Sequence, residues 1–65
     1  MDAKKIGVTL RELRGHRSRY EVAKAIGVSV SAISMYEIGE RIPKDSVKTA
    51  YAKLFGKSVE EIFFS

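Results

Sequence analysis

The sequence predicts an all-α fold, a bundle of five short helices. Three observations predict it. Apolar residues recur at helical spacing, whereas β-branched residues are scattered and do not alternate as a strand would require. Glycines fall where helix stops would stand, at Gly15, Gly27, Gly39 and Gly56. Two Ser-x-x-Glu tetrads, "SRYE" and "SVEE", have the form of capping boxes, in which each side chain satisfies a backbone N–H left open at a helix start.

The first helix is expected over about residues 4–14, with Ile6, Leu10 and Leu13 on one face and Gly15 as its stop. The second starts after Ser18, boxed with Glu21, and carries the stripe Val22, Ala23 and Ile26. The third starts after Ser29, a good N-cap, buries Ile33 and Tyr36 beside the small Ala32, and closes at Gly39. Only Gly27, Val28 and Ser29 separate these two helices. Two short helices joined by so tight a turn form a helix-turn-helix, here over about residues 18–38, with Val28 plugging the corner. Pro43 then sets the direction of the loop and restricts Ile42. The fourth helix is expected over about residues 45–55, with Val47, Ala50, Tyr51 and Leu54 at helical spacing. A short fifth helix follows Ser58 and docks Ile62 and Phe63 on the core. Lys48, Lys53 and Lys57 are expected to face solvent.

The 65 residues allow one domain, spanning 1–65, near the lower limit for independent folding. Cysteine is absent, which excludes disulfides and thiolate metal sites. His16 stands alone in a basic loop, so no metal is expected. No nucleophile–base arrangement and no Gly-rich phosphate loop occurs, and Glu60 and Glu61 are explained by a helix start that favours acids. The chain therefore reads as a non-enzyme without cofactor or small-molecule ligand. No segment approaches the roughly 20 apolar residues of a membrane span, and the N-terminus has no signal-like apolar run, which predicts a cytoplasmic protein. Formal charge is +4, with 12 basic against 8 acidic residues. Arg11, Arg14, Arg17 and Arg19 crowd together with His16, and such a basic patch points to an anionic partner, most simply nucleic acid.

The pattern A-x-x-x-G-V-S-x-S-x-I-S-x-x-E-x-G-x-R-x-P, residues 23–43, is long and free of gaps. With "IGVTLRELR" before it and "AKLFGKSVEEIFF" after it, the chain resembles the Cro/phage-repressor, XRE-like helix-turn-helix family over nearly its whole length. The resemblance implies a compact lambda-repressor-like DNA-binding domain of five helices. It implies a structural ion pair between Arg14 and Glu37, tying the third helix to the first. Two departures stand out. Arg19 occupies the position where the family usually has Gln, and the connection "GHRS" is shorter than the usual one.

In a helix-turn-helix the second helix of the pair lies in the major groove of double-stranded DNA. The resemblance places base-reading residues at Val30, Ser31, Ser34 and Met35. None can make the bidentate contacts of Arg, Asn or Gln. Val30 and Met35 suit thymine methyl groups, and the serines suit any base edge, directly or through water. Backbone contacts are expected from Arg17, Ser18, Arg19, Arg41 and Lys44. A homodimer on an inverted repeat is expected, because one copy reads only a half-site. Its contact is expected in "VEEIFFS", where Phe64 cannot share the inward direction of Ile62 and Phe63. The implied role is a transcriptional regulator of prokaryotic or phage type, acting as a repressor. The alternative is a protein–protein interaction module that keeps the fold and uses the neutral helix as an apolar docking face.

Overall fold

A computed structural model describes residues 1–64; Ser65, the last residue of the expected dimer segment, lies outside the described residues. Among the described residues the chain is all helical and has no strand. The five helices are α1 (Ala3–Arg14), α2 (Arg19–Ile26), α3 (Val30–Glu37), α4 (Asp45–Phe55) and α5 (Val59–Phe63).

Side-chain caps define most of the starts. Ser18 and Glu21 form a full capping box on α2, and Ser58 and Glu61 form one on α5. Ser29 Oγ accepts the Ala32 N–H at 3.0 Å to start α3. Helix α1 begins one residue earlier than the apolar spacing predicts. The Asp2 carboxylate accepts from the N–H groups of Lys4 and Lys5 at 3.1 and 3.2 Å and so captures Ala3 into the first turn. Helix α3 ends at Glu37, two residues before the glycine taken as its stop. Gly39 N–H donates to Tyr36 O and Glu40 N–H to Met35 O, the paired bonds of a Schellman motif. Gly39 stands in the left-handed position that motif requires, with φ at +80°.

Helix α3 packs on both α1 and α2, α4 on α2 and α5, and α5 returns to α1. The core forms where these contacts meet. Leu10, Val22, Ile33 and Tyr51 are almost wholly buried there, closed over by Ile6, Tyr36, Val47, Ile62 and Phe63. The Tyr51 ring stands edge-on to Tyr36 and Phe63 and is stacked near Phe55, with centroid distances of 6.2–6.4 Å. These are favourable aromatic geometries.

The crossing of α1 and α3 depends on Gly7. A methyl group at that position would collide with the carbonyl oxygens of Glu37 and, at 2.8 Å, of Tyr36. The absent side chain therefore sets how closely the C-terminal end of α3 approaches α1.

Lys53 and Lys57 face solvent, but Lys48 does not. Only 8% of Lys48 is exposed. Its ammonium lies 3.7 Å from Asp45 and over the rings of Phe63 and Phe64, at 5.9 and 5.3 Å from their centroids. Helix α5 folds back across α4 and covers the lysine stem, leaving the charged end on aromatic faces.

Candidate nucleic-acid interface

The turn Gly27–Val28–Ser29 joins α2 to α3, and Val28 packs against the core from the corner. Helix α3 then has two faces. Ala32, Ile33, Tyr36 and Glu37 are buried. Val30 and Ser31 are exposed, and Ser34 and Met35 are half-buried beside them. The four residues expected to read bases thus share the outward side of α3, with the more N-terminal pair the more open. Ile38 and Ile42, beyond the helix, are also exposed.

A carboxylate lies beneath the far end of that helix. The Glu37 side chain is only 2% exposed. Arg14 grips it side-on, Nε to Oε2 at 2.7 Å and Nη2 to Oε1 at 3.1 Å, and the third nitrogen, Nη1, donates to Arg17 O at 2.8 Å. A buried carboxylate at a helix C-terminus is opposed by both desolvation and the helix dipole, so it needs such a fork. The hydrogen bond to Glu37 in turn holds the Arg14 guanidinium above its ordinary pKa, against the opposing effect of burial. Arg19 reaches the same carboxylate from α2, with Nε 3.4 Å from Oε1 and 44% of its side chain exposed. Two guanidinium groups therefore face one carboxylate, and the cluster keeps a net positive charge. The Arg14–Glu37 pair is the one the family resemblance implies; Arg19 lies eighteen positions from Glu37 along the chain and meets it only through the α2–α3 turn, which no local spacing reveals.

Other expected backbone-binding residues surround this cluster. The Ser18–Glu21 box already uses two N–H groups at the start of α2: Glu21 donates to Ser18 Oγ at 3.0 Å, and Ser18 donates to Glu21 Oε1 at 3.3 Å. The N–H groups of Arg19 and Tyr20 remain at the open end of the helix, where an anion is favoured. Arg17 lays its guanidinium over the Phe55 ring, 5.4 Å from the centroid, and stays exposed. Arg41 and Lys44 are exposed in the loop between α3 and α4. Tyr20 is also exposed, next to Arg19, and was not among the expected site residues. Among the described residues no cluster of His, Asp and Glu could hold a metal ion, and no helix is long and apolar enough to cross a membrane.

This geometry is a helix-turn-helix with a neutral outward helix and basic residues around it. No curated protein matches the chain closely enough to stand as a relative. A helix-turn-helix family does match, over residues 9–62, from the middle of α1 to Ile62 in α5. The chain belongs to the Cro/phage-repressor type, XRE-like helix-turn-helix family of DNA-binding regulators.

Proposed function

We propose that the protein is a sequence-specific transcriptional repressor of prokaryotic or phage type, acting in the cytoplasm as a single helix-turn-helix domain, with α3 lying in the major groove. The observation that carries this reading is the outward side of α3. It exposes Val30 and Ser31, keeps Ser34 and Met35 within reach, and has Arg19 and Arg41 at its two flanks in the chain. Valine and methionine contact thymine methyl groups, and the serines bond to base edges or bridging waters. Such contacts discriminate modestly at each position, so the shape of the DNA and a second half-site add the remainder. Arg17, Ser18, Arg19, Arg41 and Lys44 supply phosphate contacts. The protein-docking alternative finds no support in the family match.

The protein works as a homodimer on an inverted repeat, with half-sites about one helical turn apart. Support comes from the α1–α5 end of the bundle. Phe64 is 60% exposed there and borders a groove of about 310 Å³ between Met1, Ile6, Thr9 and Ile62. A second copy placing its own Phe64 in this groove, which Asp2 and Lys5 also line, would cover both exposed rings by one symmetric contact.

Selection of bound duplexes from a random pool, followed by a salt titration on the winner, tests the reading. The selected sites should be T-rich inverted repeats. Log affinity should fall with log salt at a slope of about −4 per subunit. A flat salt response would exclude binding through phosphates. Light scattering at micromolar concentration should report two copies per duplex, and one copy would remove the dimer.

A further inference from the structure

We propose that Glu37, buried and remote from the outward face of α3, is a positioning residue for Arg19, and that it prepares this arginine for a DNA phosphate. The inference rests on the DNA-binding reading above. Arg14 and Arg19 do not compete equally for the carboxylate. Arg14 has its Nε, Nη1 and Nη2 all engaged within the protein. Arg19 comes no closer to the carboxylate than 3.4 Å, at Nε, and its side chain forms no hydrogen bond among the described residues. A guanidinium is planar and presents its donors in a fixed fork. Drawn toward Glu37 by charge but with its side-chain donors in no hydrogen bond, Arg19 keeps them for another anion, and the fork suits the two-pronged geometry of phosphate. Arg19 is also the first residue of α2, beside the open N–H groups of that helix.

The advantage is entropic. An exposed arginine loses rotamer freedom when it binds, and one held beforehand loses less. Because Arg14 already offsets the charge of Glu37, the hold on Arg19 does not cancel the surplus positive charge. The departure from Gln at this position and the Arg14–Glu37 pair then work as one unit. Glutamine has no charge with which to use the carboxylate.

Charge alone and positioning make opposite predictions. Glu37→Gln removes a negative charge near the interface, so charge alone predicts tighter binding to DNA. Positioning predicts binding weaker by about three- to tenfold, in the lower part of the range for a coupled neighbouring pair. The experiment is a double-mutant cycle of Arg19→Gln and Glu37→Gln, read by fluorescence anisotropy on a duplex of random sequence over a range of salt. Circular dichroism confirms that each variant is folded. Arg19→Gln should lower the steepness of the salt slope by about one. In that background Glu37→Gln should have no further effect. A folded Glu37→Gln variant that binds as tightly as the unaltered protein, or one that weakens binding equally without Arg19, overturns the proposal.

Should Glu37→Gln fail to fold, the unaltered protein still decides. The Arg19 Nε–H group should give an ordered ¹⁵N signal in the free protein, unlike exposed Arg41. An Arg19 signal as mobile as that of Arg41 overturns the proposal. Absence of any salt-dependent DNA binding by the unaltered protein overturns the functional reading as well, which separates the two failures.

Discussion

Tyr51 buries a hydroxyl that has no hydrogen-bond partner among the described residues. Leaving such a group unsatisfied costs about 1–3 kcal/mol, comparable with the gain from packing its ring. Tyr51→Phe keeps the ring stack and removes the cost, so it should be neutral or raise stability by about 1 kcal/mol in urea denaturation at pH 7. The same residue sets an alkaline limit. Burial first, and the negative Glu37 nearby second, hold the phenol pKa above its ordinary value of 10.0. The folded state therefore binds this proton more tightly than the unfolded chain does. The stabilising contribution is complete below pH 10 and declines as pH rises above it, and Tyr51→Phe should flatten that decline. Residue-level surprises share one physical cause. A lysine between helical turns reads as solvent-facing, and Lys48 is buried only because α5 returns over it. A glycine inside a helix reads as a weak point, and Gly7 has its meaning only from a carbonyl on another helix. Arg19 reads as a free cation until the α2–α3 turn brings Glu37 beneath it. Each depends on a neighbour distant in sequence, which spacing along one helix does not reveal.

At the scale of helices, the starts of α2, α3 and α5 and the helix-turn-helix were legible, because they depend on residues three or four apart. The boxes at Ser18–Glu21 and Ser58–Glu61 are local chemistry, and both form. The crossing of α1 with α3 is not local, and Gly7→Ala tests it. Alanine would favour α1 by about 1 kcal/mol through helix propensity. The new methyl group, however, meets backbone oxygens that cannot rotate away. Overpacking of this kind costs about 1–3 kcal/mol, so the net effect should be a loss of stability in a thermal melt. Helix α5 carries its own pH dependence. Hydrogen bonds from the Ser58 backbone and side chain hold the Glu61 carboxyl below its ordinary value of 4.5. A depressed pKa means that the support to α5 is present above that value and is lost as pH falls through the lower folded-state value. The Ile62 and Phe63 signals in an NMR acid titration should shift toward undocked values in that range. Glu61→Gln, which removes the titrating carboxyl, should abolish the step, whereas Ser58→Ala, which keeps the backbone N–H, should only reduce it.

For the whole molecule, the outward and inward sides of α3 have separate duties. The inward side holds the bundle together through Ile33, Tyr36 and the Glu37 cluster. The outward side touches little of the protein. Ser31→Gln should therefore keep stability within about 0.5 kcal/mol in denaturant, as surface changes usually do. The same change should move the preferred sequence in a binding selection toward adenine, which glutamine reads through two bonds. The proposed base-reading positions rest on resemblance, whereas the anchoring beneath them required the fold. The close approach at Gly7 makes this division mechanical. It clamps α3 at the end remote from Val30 and Ser31, like a beam fixed in a wall with its tip free. Changes at the tip do not loosen the mounting. Under the proposed DNA reading, a lineage built on this bundle can therefore exchange one binding sequence for another by a few substitutions, without having to find a new way to fold.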